Sequence, residues 1–114
     1  MVNVAVLVSG GGTNLQALID EFHLGTINGE IKLVISNRKN AYGLVRAENA
    51  GIKNMVIKDQ DELLKTLKEE GIELVVLAGY LAIISDELIK EYENRIINIH
   101  PSLIPAFCGM GYYG

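Results

Sequence analysis

The stretch Val2–Asn14, VNVAVLVSGGGTN, opens with a Val-rich run that ends in Ser9-Gly10-Gly11-Gly12. A strand covered on both faces reads as a near-continuous apolar run rather than as an alternation, so Val2–Val8 is expected to be a buried strand. Leu15, Leu18, Ile19 and Phe22 then recur at helical spacing, which opens a helix at about Thr13 or Asn14. Strand, tight glycine turn and helix therefore follow each other within a few residues.

Working outward, the same unit repeats. IKLVIS (Ile31–Ser36) reads as a second strand, and Ala41–Ala50 as a helix closed by Gly51. KNMVI (Lys53–Ile57) is a third strand. Asp59 and Glu62 form a capping-box-like start to a helix whose apolar face includes Leu63, Leu64 and Leu67, and Gly71 ends it. IELVVLAG (Ile72–Gly79) is a fourth strand, Ser85 caps a helix through about Tyr92 with Leu88 inward, and RIINIH (Arg95–His100) is a fifth strand stopped by Pro101. Buried strands alternating with helices make an α/β fold: a doubly wound, Rossmann-like or flavodoxin-like parallel sheet of about five strands with flanking helices, in the order 3-2-1-4-5. No linker, repeat or low-complexity segment divides it, so residues 1–114 are expected to form a single domain.

Composition narrows the function. A net charge of −4 with no Lys/Arg block argues against nucleic acid and against an acidic membrane surface. The start lacks a basic flank and a long apolar run, so neither a signal peptide nor a membrane span is expected. Cys108 is the only cysteine, which excludes an intrachain disulfide framework and suits a reducing cytoplasm. Among apolar residues and glycines it reads as a bystander.

Open α/β sheets bind ligands beyond the carboxyl ends of their strands. SGGGTN, AGYLAII and NIHPS all fall there. The first is not a dinucleotide fingerprint, because Leu15 stands where a third glycine belongs and no acidic residue follows strand two. Nor is it a Walker A loop, since no Gly-Lys-Ser/Thr occurs. It reads either as a connecting turn or as a monophosphate cradle, with Gly11 and Gly12 supplying N–H groups, Thr13 a hydroxyl and Asn14 an amide. Asn98 and His100, two apart on one strand, share a face. An amide donor to an oxyanion beside an imidazole that moves protons near neutral pH suits acyl or formyl transfer to an amine. The competing reading is a structural histidine beside a proline. His23, late in the first helix, reads as a solvated helix-end residue.

VLVSGGGTNLQALID, VISNRKNAYGLVRAENAGI, VVLAGYLAIIS and INIHPSLIPAF, in this order and spacing, resemble phosphoribosylglycinamide formyltransferase over essentially the whole chain. The resemblance implies purine biosynthesis: formyl transfer from 10-formyltetrahydrofolate, a co-substrate, to the amine of glycinamide ribonucleotide, with no metal. It implies that Gly11, Gly12, Thr13 and Asn14 hold the substrate phosphate. Leu81, Ala82, Ile83 and Ile84, with Asn98, would line the folate pocket. Asn98 would polarise the formyl oxygen, and His100 would transfer the proton.

Two departures stand out. Ala82 occupies a position where the family commonly has Arg, and the chain stops at Gly114 where family members continue with a catalytic aspartate and more pocket wall. The expectation is a truncated N-terminal half with negligible turnover of its own. The alternative is a non-catalytic phosphate- or nucleotide-binding half-domain that self-associates or needs a partner half. A sheet ending at strand 95–100, followed by an apolar tail 101–114, further predicts a homodimer formed through that strand and tail.

Overall fold

The computed structural model describes residues 1–100 and 109–112. The elements run β1 (Val2–Val8), α1 (Thr13–His23), β2 (Gly29–Ser36), α2 (Tyr42–Asn49), β3 (Lys53–Val56), α3 (Gln60–Glu69), β4 (Leu74–Ala78), α4 (Asp86–Glu91), β5 (Ile96–His100) and β6 (Gly109–Tyr112). One sheet holds them in the order β3-β2-β1-β4-β5-β6. The pairs from β3 across to β5 are parallel, and the doubly wound order is the expected one.

β1 occupies the middle because it is apolar on both faces. Val4, Val6 and Val8 pack with Leu15 and Ile19 of α1 and Ala47 of α2. Ala5 and Leu7 face the opposite layer, with Leu63 and Leu67 of α3 and Leu88 of α4. Each fully covered Val or Leu in such a strand contributes roughly 1.5–3 kcal/mol relative to exposure. β2 departs from strict alternation: its register to β1 slips between Val4 and Ala5, which pair with Ile31 and Leu33. The extra residue, Lys32, is exposed. The bulge turns Ile31 toward the α1/α2 layer and Leu33 toward the other, so both side chains are buried and Lys32 stays in water.

The sheet corrects one expectation. Strand 95–100 is not an open edge, because β6 pairs with β5 antiparallel, from Ile97↔Tyr112 to His100↔Gly109. The chain's own backbone meets the groups that edge-to-edge dimerisation would have used. The homodimer expected through strand 95–100 and tail 101–114 therefore loses the open edge of β5 as its motive, and the outer side of β6, within that tail, becomes the sheet edge instead. Residues 101–108, including Cys108 and Pro101, lie outside the described residues. Among the described residues no helix is long and apolar enough to cross a membrane.

Candidate active site

Strand order reverses between β1 and β4; two of the stretches singled out by sequence, SGGGTN and AGYLAII, follow these strands, and Asn98 and His100 of the third lie at the end of β5, the next strand in the sheet. They meet at one end of it. The cleft of about 520 Å³ lined by Phe22, His23, Lys32, Lys53 and Glu70 lies at the other end, beside the amino ends of the strands. It belongs to a different surface.

The glycine loop is shaped by its carbonyls. Gly10 O accepts from the Gly43 N–H (3.0 Å), Gly11 O from Arg46 Nε (2.7 Å), and Gly12 O from the Gln16 N–H (2.8 Å). In a planar trans peptide the N–H points opposite the carbonyl of the preceding residue. Pinning the first two carbonyls toward α2 therefore aims the N–H groups of Gly11 and Gly12 away from it, and the third leaves the Thr13 N–H directed out of the start of α1. Successive N–H groups arranged in this way form an anion-binding concavity. Gly12 adopts a left-handed φ of 76°, and a Cβ there would lie 2.7 Å from Gly43 Cα. Only glycine fits.

α1 starts without help from its own sequence. Gly12 offers no side-chain cap and no acidic residue sits in the first turn, so the partial positive charge at the helix start is uncompensated. Gly10, Gly11 and Thr13 are exposed, and Gly12 and Asn14 are half-buried. All four residues predicted for phosphate are thus brought together.

The segment after β4 is less uniform than predicted. Leu81 and Ile83 are 72% and 89% exposed, Ala82 is half-buried, and Ile84, at 9%, packs into the core with Leu88 and Tyr92. Ile84 thus anchors the segment rather than presenting a side chain to a ligand. Gln60, the first residue of α3, donates to the Tyr80 hydroxyl (3.2 Å) and accepts from the Ser85 N–H (3.0 Å). Burial pushes the Tyr80 phenol pKa up, against the opposing Gln60 hydrogen bond, so it stays protonated at neutral pH.

Sequence reasoning missed Ser9. Its buried hydroxyl donates to Asn37 Oδ1, at the end of β2, and accepts from the Leu81 N–H at 2.8 Å. A polar residue closing an apolar strand was the only sign of it. Asn98 is half-buried in β5 opposite Leu77 of β4, two positions after Ile96 and so on the α3/α4 side of the sheet with it. His100 is the last residue of β5, two positions on. His23 lies exposed in the last turn of α1, as expected.

Comparisons with known proteins bear on the fold and the family. The formyl transferase family profile matches residues 2–113. The chain is 41% identical to phosphoribosylglycinamide formyltransferase of Haemophilus influenzae, over 99% of this chain and 58% of that protein. It is 46% identical to the trifunctional purine biosynthetic protein adenosine-3 of Drosophila pseudoobscura pseudoobscura, over 94% of this chain and 9% of that one. The crystal structure of glycinamide ribonucleotide transformylase 1 from Symbiobacterium toebii superposes with a TM-score of 0.85 at 41% identity, covering 94% of this chain and 55% of that one. The chain thus spans just over half the length of the Haemophilus influenzae and Symbiobacterium toebii proteins. With the profile covering nearly every residue and the sheet superposing on these enzymes, the chain belongs to the formyl transferase family.

Proposed function

We propose that residues 1–114 form the phosphate-binding domain of a folate-dependent formyltransferase of purine biosynthesis, acting on the amine of glycinamide ribonucleotide in the cytoplasm. The observation that carries this reading is the glycine loop, whose pinned carbonyls direct successive N–H groups outward at an uncapped helix start. On this reading Gly11, Gly12 and Thr13 hold the ribonucleotide phosphate through backbone N–H groups, and Asn14 adds its amide.

10-Formyltetrahydrofolate supplies the formyl carbon as electrophile and N10 as leaving group. Leu81 and Ile83, apolar and exposed, cover the folate ring. Asn98 donates its amide N–H to the formyl oxygen as the substrate amine adds and the C=O electron pair moves onto oxygen. His100 carries the proton lost by the attacking amine to N10, which departs with the C–N bonding pair and leaves tetrahydrofolate and the formylated amine.

Amide NMR tests the reading. Glycinamide ribonucleotide is expected to move Gly11–Asn14 first, and tetrahydrofolate to move Leu81–Ile83 and Asn98. Shifts confined to other regions at millimolar ligand overturn it. Equal response to any nucleoside monophosphate with none to tetrahydrofolate favours instead a non-catalytic phosphate-binding module.

A further inference from the structure

Tyr80 packs against the core, but Leu81 and Ile83 present their side chains to solvent, so packing does little to fix the course of residues 81–83. Hydrogen bonds fix it instead. Gln60 holds the two ends of the segment to α3 through Tyr80 and Ser85. Ser9 ties it to the end of the central strand, through the Leu81 N–H. Ser9 is only 2% exposed, so water does not readily replace it there. A hydroxyl has one proton; with that proton given to Asn37 Oδ1, its lone pairs are left to accept from Leu81. Asn37 thus sets the direction of the second bond. The backbone of Ser9 runs straight into Gly10, so the residue just after β1 also links the glycine loop to the segment across the point where strand order reverses.

We infer that Ser9, oriented by Asn37, is a positioning residue that holds the Leu81–Ile83 wall in register with the glycine loop. The inference rests on the reading above, in which that wall meets folate and the loop meets phosphate. It separates the two ligands. The carbonyl anchors of the loop are Gly43, Arg46 and Gln16, none of which involves the Ser9 hydroxyl. Loss of the hydroxyl therefore disturbs the folate wall and spares the phosphate cradle.

The test uses the 114-residue chain with inorganic phosphate and tetrahydrofolate as separate probes, followed by amide NMR and hydrogen exchange. In Ser9→Ala, tetrahydrofolate binding is expected to weaken about tenfold and exchange at Leu81 to quicken by a similar factor, the scale of one lost buried hydrogen bond. The phosphate midpoint should stay within about twofold, the scale of an undisturbed site. Ser9→Thr, which keeps the hydroxyl, should restore both folate binding and Leu81 protection. Asn37→Ala, which leaves the acceptor but not its orientation, should give a smaller loss with the same selectivity, and it replaces Ser9→Ala if that variant does not fold. Equal weakening of both ligands, or unchanged Leu81 exchange in both variants, overturns the inference. If the wild-type chain binds neither probe, the functional reading fails, while the exchange contrast at Leu81 still decides whether Ser9 positions the segment.

Discussion

The helices of this sheet begin in two ways. α3 and α4 cap themselves: an Asp59 carboxylate oxygen accepts from the Glu62 N–H (3.1 Å), and Ser85 Oγ from the Leu88 N–H (3.2 Å). Both carry two acidic residues in the first turn. α1 has neither device. α2 also lacks a side-chain cap, but its Gly43 N–H is occupied by Gly10 O, so its start serves to brace the loop before α1. The contrast teaches that a bare helix start is tolerated in two circumstances, when another part of the chain fills it or when it faces a site. A capped start is worth about 1 kcal/mol. At α1 that stabilisation is forgone, and the N–H groups are left for an anion.

The largest effect expected from breaking this contrast is at Gly12. Gly12→Ala combines left-handed backbone strain with a 2.7 Å approach to Gly43 Cα, and should cost about 3 kcal/mol in denaturant unfolding while abolishing phosphate binding. Gly25→Ala is its control: φ is similar, at 74°, but nothing lies within 4 Å, so only about 1 kcal/mol of strain is expected.

Next comes Asp59→Ala, which removes a self-cap and should lower stability by about 1 kcal/mol with no change in phosphate affinity. A change in affinity would mean that the two kinds of helix start are not independent. Thr13→Asp sharpens the comparison from the other side. An acidic residue in the first turn of α1 should stabilise the fold by about 0.5 kcal/mol and weaken phosphate binding, the opposite signs arising from one charge.

The smallest effect lies at the other end of the sheet. Lys53 Nζ donates to Glu70 Oε2 (2.8 Å), and this hydrogen bond, opposed by partial desolvation, holds the Glu70 pKa below the usual glutamate value. A folded-state pKa that is depressed contributes stability above the unfolded pKa and loses it as pH falls through the folded one. Lys53→Met should return the Glu70 carboxyl titration toward its ordinary position, read by carbon NMR, and slightly flatten the loss of stability in acid. The pair is open to solvent, so the change in overall stability should be slight.

The parts of this fold legible in sequence are those whose causes are local. The Val-rich β1 and the spacing of Leu15 and Ile19 announce their elements, and Asp59 and Ser85 announce helix starts because a cap acts within three residues. Ser9 and Leu81 are 72 positions apart, and no periodicity records that they meet. Gly43, inside α2 (Tyr42–Asn49), reads as a weak helix former, whereas its reason is the close approach of Val8 and of the Gly10 carbonyl. β6 was missed because Gly109-Met110-Gly111-Tyr112 has little strand propensity of its own, and its pairing with β5 supplies the reason for a strand there. The Lys32 bulge escaped because Ile31 and Leu33 read as one face of a regular strand. For the candidate site, the glycine loop and Asn98 were visible as residue types. Two of the carbonyl anchors that orient the loop, Gly43 and Arg46, were not, since they come from another helix.

The central position of β1 also governs the order in which the chain can assemble. β1 meets β2 through pairs such as Val2↔Gly29, but meets β4 only through pairs such as Val4↔Leu74, a separation about two and a half times longer. Closing the longer loop costs roughly 0.8 kcal/mol more in chain entropy when the two closures are compared as free loops. The β1–β2–β3 half can therefore nucleate from nearby contacts, while the seam to β4 waits for a distant one. Pulsed hydrogen exchange during refolding should protect β2 before β4, and simultaneous protection would contradict this sequence of events. That seam is the one Ser9 bridges, so the crevice between the glycine loop and Leu81 is the part of the molecule that matures last.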